Sequence, residues 1–241
     1  YDDLTLLRAG LVPAADYLDL IARQATRIQR TPGRHVHSLA DASFEAWSKF
    51  YQPDESTPNL TVSYYGKGAL LALGVDLKLR MLGRSLDEAL RGLWQVFGAH
   101  DTPVPEGALE ALVIEMAREV SAEAEADLRA YMTRGVRGTD DLPLAEQLAA
   151  FGVTATLRVA HGGTADRGGR ATGQPDRNHL GLRFKAADAG IEVTGVVAGG
   201  PAERADLAVG DRLVAVEGWQ RSASSAAKRS FRYPPTASST M

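Results

Sequence analysis

Ser63-Tyr64-Tyr65-Gly66-Lys67-Gly68-Ala69-Leu70 decides how the first half of the chain is read. Ser63 suits a helix N-cap, because its hydroxyl can accept from an open N–H of the first turn. The run that follows, to about Leu82, is apolar around much of its circumference through Ala69, Leu70, Leu71, Leu73, Val75, Leu77 and Leu79. That pattern predicts a central, buried helix. Gly68 and Gly74 weaken its helix propensity and allow a close neighbour. Lys67 reads as a solvated charge, and Asp76 and Lys78 as the polar side. Tyr64 and Tyr65 then stand at a helix N-terminus, where free N–H groups face whatever docks there. A tyrosine keeps its proton at pH 7 and can donate it to a developing oxyanion. The same pair also reads as core aromatics closing a helix end, which is how aromatics at such a position mostly pack.

The helical pattern extends on both sides. Residues 1 to about 9 read as a helix already under way and ended by Gly10, so the true N-terminus, with any targeting segment, is expected to lie upstream. Tyr17, Leu18, Ile21, Ala25 and Ile28 keep helical spacing until Thr31-Pro32-Gly33, and Tyr17, Ile21 and Ile28 are predicted core. Phe44, Trp47 and Phe50 recur every third residue between Ser38 and Tyr51, which predicts one buried stripe. Gly83 ends the tyrosine helix, and Ser85-Leu86-Asp87-Glu88 is a capping box opening the next. The core face of that helix is expected to be Leu86, Ala89, Leu90, Leu93, Trp94 and Phe97. Helices around Leu109–Met116, around Leu128 and Tyr131, and from Leu142 to Phe151 follow. His35 and His37 would share a face if they lay on a strand and could grip a metal. No third ligand with clear spacing follows them, and a polar loop explains them as well.

After Gly152 the period changes. Val153–Val159 alternates like a strand, and residues 161–178 form a Gly-rich polar loop. Their glycines lack phosphate-loop spacing. Leu180-Gly181-Leu182-Arg183-Phe184 resembles the carboxylate-binding loop of PDZ domains. Gly190–Val197 follows as a strand, Gly200–Ala205 as a short helix, and Leu207–Gly218 as the Leu-x-x-Gly-Asp element of that domain. Such a loop accepts a peptide's terminal carboxylate while the adjacent strand edge adds an extended peptide, which makes Leu180, Gly181, Leu182 and Phe184 candidate peptide-binding residues. Arg183 replaces the usual glycine. The groove helix is expected at Ser225–Tyr233, and the closing strand is expected to be missing. The resulting expectation is an α+β chain with two domains, residues 1–152 helical and residues 153–241 PDZ-like.

Composition excludes several classes. Apolar content of 44 % and charged content of 24 % are those of an ordinary globular chain. A net charge of −3 gives no reason to expect nucleic acid as a partner, and the four basic residues after Trp219 (Arg221, Lys228, Arg229, Arg232) are a weak case for one. The absence of cysteine removes disulfides and thiolate metal sites. No apolar run reaches the ~20 residues of a membrane span, and cytoplasm and periplasm are not distinguished. No G-x-S-x-G elbow is present for a serine hydrolase.

Tyr65-Gly66-Lys67-Gly68 is similar to the Tyr-x-Lys-Gly element of thermolysin-like aminopeptidases. The run Ser63–Arg80, with Tyr1-Asp2-Asp3-Leu4, Arg8-Ala9-Gly10 and Ser43-Phe44-Glu45-Ala46-Trp47, resembles the glycyl aminopeptidase family of zinc peptidases that carry a PDZ domain. This resemblance implies an all-α, thermolysin-like C-terminal helical subdomain followed by the PDZ domain. It implies Tyr65, with Tyr64 the alternative, as donor to the tetrahedral oxyanion, and peptides with N-terminal Gly or Ala as substrates. It also implies zinc in the intact enzyme, held by an H-E-x-x-H helix and a glutamate that lie before the position of Tyr1. This chain is therefore expected to bind no zinc and to be inactive alone. The other reading is a non-catalytic, PDZ-containing module that binds peptide C-termini.

Overall fold

The computed structural model describes residues 1–161, 166–171, 174–175, 179–188, 190–216 and 219–220. By contact density the chain divides into two units, 1–179 and 180–241.

The first unit is helical and is built around α5 (Tyr64–Met81). Before it come α1 (Asp2–Arg8), α2 (Ala14–Gln29), α3 (Leu39–Phe44) and α4 (Thr57–Leu60); after it come α6 (Leu86–Val96), α7 (Ala108–Arg118), α8 (Ala122–Arg137) and α9 (Leu144–Ala149). Leu71, Val75 and Leu79 of α5 meet Leu86 and Ala89 of α6, Val113, Met116 and Ala117 of α7, and Leu128, Tyr131 and Met132 of α8 in the main core. A smaller cluster joins Leu70 to Ile28, Ala42 and Val62. The close approach is made at Gly74, where a Cβ would stand 1.8 Å from the Tyr131 hydroxyl. Gly68, by contrast, has only ordinary space around it. The Tyr131 hydroxyl donates to Gln147 Oε1 at 3.0 Å, and Gln147 Nε2 donates to the Gly74 carbonyl at 3.2 Å. Burial pushes the Tyr131 phenol up to about 12. The local punctuation is as predicted. Ser63 accepts from Gly66 N–H, Ser85 accepts from Glu88 N–H, and Gly83 and Gly152 take φ +73° and +76° after their helices.

Four expectations about this unit are corrected. Lys67 is buried rather than solvated: its Nζ donates to the carbonyls of Arg34 (3.3 Å), Gly138 (3.3 Å) and His37 (3.5 Å). Phe44 and Trp47 are not a buried stripe, being 90 % and 79 % exposed. The α3 helix stops at Phe44 and a π-helical turn, Ala46–Phe50, follows; the buried contacts are the small residues Ala42 and Ala46. Small side chains bring this segment close to the core and leave its large rings outside. Trp94 is also exposed, because its ring lies back over Gly98 at the end of α6 rather than in the bundle. Val153–Val159 forms no strand, and Leu157 is 83 % exposed. Alternation supplies one apolar face, but a strand also needs a partner edge, and the described residues offer it none. This segment is tied down instead by Arg158, which donates to Asp166 Oδ1 at 3.0 Å and to the Gly169 carbonyl at 3.2 Å. Arg170 pairs with Asp19 at 3.2 Å. The contact division therefore falls after His179, whereas the sequence period changes after Gly152.

The second unit is a small antiparallel sheet. Strands β1 (Leu182–Ala187) and β2 (Gly190–Val196) pair with a register shift at Arg183/Phe184, and β3 (Arg212–Leu213) pairs with the other side of β2. The short helix α10 (Pro201–Arg204) precedes β3, and β4 (Ala215–Val216) pairs with β5 (Trp219–Gln220). Val193 and Ala202 are its buried apolar residues. The Gly-Asp turn locks onto β2 through Gly210 N–H to the Val193 carbonyl and Val193 N–H to the Asp211 carbonyl, both at 2.9 Å. The groove helix and the closing strand considered from the sequence lie outside the described residues. Among the described residues, no helix is long and apolar enough to cross a membrane.

Candidate functional site

The tyrosines sit where the Ser63 cap puts them, in the first turn of α5. Their rings stack at 4.2 Å between centroids, with Tyr64 half-buried and Tyr65 62 % exposed. A third tyrosine joins them. The π-turn that exposes Trp47 delivers Tyr51 to the same spot, its hydroxyl 3.1 Å from that of Tyr64 and 3.2 Å from that of Tyr65. Phe50 packs edge-on against Tyr51 at 5.3 Å and Tyr64 at 5.4 Å, and Trp47 lies 5.1 Å from Tyr51. Irregular π-turns are frequent at functional sites, since they re-aim side chains that an α-helix would carry elsewhere.

The three hydroxyls are not equivalent. The bond with Tyr51, then that with Tyr64, pulls the Tyr65 phenol below its ordinary value. The Tyr64 phenol is pushed up, first by its bond with Tyr51 and then by Tyr65. A hydroxyl that accepts is easier to deprotonate, and one whose proton is already donated holds it harder. Tyr65 also lines an apolar cavity of about 500 Å³ along α5, with Tyr17, Leu18, Ala69 and Leu73 in its wall and Asp2, Asp3 and Asp76 beside it. Of these carboxylates Asp76 is already engaged, accepting from Leu86 N–H at 2.8 Å and from Arg80 Nε at 2.7 Å.

The two histidines diverge. His35 is exposed, with Nδ1 3.2 Å from the Thr139 carbonyl. His37 is buried, with Nδ1 2.7 Å from Thr61 Oγ1. Its Nε2 lies 2.9 Å from Glu45 Oε2 without the alignment of a hydrogen bond. Among the described residues, no group of three or more His, Asp or Glu side chains is placed to hold a metal ion. The described residues therefore offer no set that fits a zinc site.

In the second unit, Gly181 takes φ +72°, a left-handed turn that glycine enters without strain. Its carbonyl accepts from Val197 N–H at 2.8 Å, and the Leu180 carbonyl accepts from Ala202 N–H at 3.0 Å. Leu180 and Phe184 are exposed, 61 % and 58 %, Leu182 is half-buried, and β1 has no partner on its outer edge among the described residues. The Arg183 side chain lies across Gly195 of the neighbouring strand, so its charge rests on the sheet.

Tyr64 and Tyr65 are thus together at one helix mouth, as the sequence predicts, and Leu180–Phe184 forms one loop-and-strand entry. Tyr51 was not legible as part of the site. The available signal was its place in the Phe50-Tyr51 pair directly before the loop that leads to Ser63.

Comparison with known proteins agrees with these two units. Residues 1–71 match the M61 glycyl aminopeptidase family, and residues 192–221 match a PDZ domain. The crystal structure of an aminopeptidase N family protein from Idiomarina loihiensis is similar at 31 % identity and a TM-score of 0.77 over 93 % of this chain. This chain spans 38 % of the length of that protein. Comparison with curated proteins gives no match. The order of the two matches, an M61 glycyl aminopeptidase segment followed by a PDZ segment, is consistent with the C-terminal portion of an M61 peptidase.

Proposed function

We propose that this chain forms one wall of the substrate cleft of a zinc-dependent aminopeptidase, with Tyr65 donating to the oxyanion of the tetrahedral intermediate and Tyr64 the alternative donor. The observation that carries this reading is Tyr65 itself, an exposed residue at the mouth of α5 that lines an apolar cavity and whose hydroxyl is bonded to that of Tyr51. An oxyanion donor needs a proton at pH 7, a fixed position and access to the reacting carbonyl. The bond to Tyr51 supports a fixed position for Tyr65, and its exposure supports access. The metal would be held by residues outside this chain, since none of the described sets fits one. The apolar wall of the cavity accepts uncharged substrate surface. A preference for N-terminal Gly or Ala is part of this proposal and rests on the resemblance to the glycyl aminopeptidase family. The test is turnover of glycyl, alanyl and leucyl peptides by the intact enzyme, with and without a chelator, and by this chain alone with zinc supplied. Chelator-sensitive turnover of the small substrates by the intact enzyme only is expected. Chelator-sensitive turnover by this chain alone would refute the placement of the metal, and indifference of the intact enzyme to the chelator would refute zinc dependence.

A second reading is favoured by the exposed Leu180 and Phe184 beside an edge of β1 that has no partner among the described residues. An extended peptide could add to that edge while its terminal carboxylate meets the Gly181 turn. Peptide binding that perturbs Leu180–Phe184 and is lost when the peptide C-terminus is amidated supports this function. Equal binding of the amidated peptide refutes carboxylate capture.

A further inference from the structure

The hydroxyl geometry assigns a role to a residue outside the tyrosine pair. We propose that Tyr51 is a positioning residue: it accepts the Tyr64 proton, donates its own to the Tyr65 oxygen, and so leaves the Tyr65 O–H aimed outward at the substrate. The inference rests on the oxyanion-donor reading of Tyr65 and deepens it.

Each tyrosine hydroxyl has one proton to give and can accept in return. The Tyr51 oxygen lies 3.1 Å from that of Tyr64 and 3.2 Å from that of Tyr65, so it can donate to one and accept from the other. If Tyr51 accepted from both neighbours, neither would keep a free proton; the two remaining orders pass the protons along in one sense. If Tyr65 donated to Tyr51, its proton would be spent inside the cluster and Tyr64 would hold the free one. If Tyr64 donates to Tyr51, and Tyr51 to Tyr65, the free proton is on Tyr65. The exposures favour the second order. Tyr64 is half-buried under Phe50, whereas Tyr65 is the most exposed of the three and lines the cavity. The directions of the phenol shifts agree, since Tyr65 is lowered as an acceptor and Tyr64 raised as a donor. A chain of hydroxyls polarised in one sense also strengthens its last donor.

The backbone explains why Tyr51 can do this. The π-turn Ala46–Phe50 ends at Tyr51, and Phe50 packs against both Tyr51 and Tyr64, which fixes the ring at the edge of α5. The chain makes Tyr65 the donor and Tyr64 its support, which separates two residues that the sequence leaves interchangeable.

The experiment is a spectrophotometric phenolate titration of this chain and of its Tyr51→Phe, Tyr64→Phe and Tyr65→Phe variants, with the kcat–pH profile of the same variants in the intact enzyme. Tyr51→Phe keeps the ring and its contacts, and Tyr51 is 47 % exposed, so the fold is retained. One phenol titrating below the others is expected in the parent chain, absent in Tyr65→Phe and returned to the ordinary range in Tyr51→Phe. In the intact enzyme, Tyr51→Phe should lower kcat about tenfold, less than the roughly 100-fold expected on removing a direct donor. It should also move the alkaline limb to higher pH, because Tyr65 would keep its proton longer. A purely structural role would lower kcat without moving that limb. An unshifted Tyr65 titration in Tyr51→Phe overturns the proposal. A shifted titration combined with an unchanged kcat in Tyr65→Phe supports the hydroxyl chain and overturns the donor reading beneath it.

Discussion

Replacing Lys67 by methionine tests how the mouth of α5 is held. The ammonium is buried and donates to three carbonyls, those of Arg34 and His37 in the loop before α3 and that of Gly138 at the end of α8. The distances of 3.3 to 3.5 Å are long, so each bond is set below the charge-assisted range of roughly 1.5–3 kcal/mol, at about 1 kcal/mol. Methionine fills most of the same volume, removes all three donors and relieves the desolvation of the charge. Burial already pulls the lysine below its ordinary 10.5, so that relief is real, and about 1 kcal/mol is set against the lost bonds. The net expectation is a loss of about 2 kcal/mol, roughly 30-fold in the folding constant. The pH dependence has a defined sign. Between the depressed folded value and 10.5 the unfolded chain binds more protons than the folded one, so the wild type gains stability as pH rises through that window. The variant lacks that gain. Urea unfolding followed by far-ultraviolet circular dichroism at pH 7 and pH 10 reads both effects. A loss below 0.5 kcal/mol by ~10 % accuracy standards of such curves, or a gain, would refute the assignment of Lys67 as a clasp between loops.

Three further outcomes follow from packing and charge. Gly74→Ala puts a Cβ 1.8 Å from the Tyr131 hydroxyl and 2.9 Å from Gln147 Oε1, so a loss of about 3 kcal/mol or more is expected by thermal unfolding, and a neutral result would refute the close approach of α5 and α8. Phe44→Ser should change stability by no more than about 0.5 kcal/mol, since that ring is 90 % exposed; a loss above about 2 kcal/mol would restore the buried stripe. Asp87 ties α1 to α6 by accepting from Arg8 and from the Tyr1 hydroxyl, and these bonds, Arg8 first, hold its carboxyl at about 2. The folded state therefore binds this proton less readily than the unfolded one. Its contribution, about 1 kcal/mol after solvent screening, is complete above pH ~4 and lost as pH falls through 2. Subtracting the Asp87→Asn acid titration from that of wild type isolates it, and identical curves would remove the tether.

What the sequence made legible was local. Ser63 and Ser85 announce helix starts and Gly83 and Gly152 helix ends, because a cap depends on residues within one turn. The apolar period of α5 marked the core helix, and Gly74 marked its close approach. What was not legible depended on partners distant in the chain. Lys67 is buried because three carbonyls from two other segments surround it, which no periodicity reports. Phe44 and Trp47 have core composition but lie on a segment that a π-turn rotates outward. Val153–Val159 has a strand's alternation without a strand's partner. Tyr51 joins the tyrosine pair across 13 residues, through a turn whose shape the sequence does not announce. In the second unit the Gly-Asp turn was legible as part of a recurrent pattern, and it lies within the PDZ match at residues 192–221.

The most direct measurement is kcat of the intact enzyme carrying Tyr65→Phe beside one carrying Tyr64→Phe, on a glycyl peptide at saturating concentration. The account predicts a fall of roughly 100-fold or more for Tyr65→Phe, with KM nearly unchanged and a smaller fall for Tyr64→Phe. An unchanged kcat in Tyr65→Phe would contradict it and remove that residue from the chemistry.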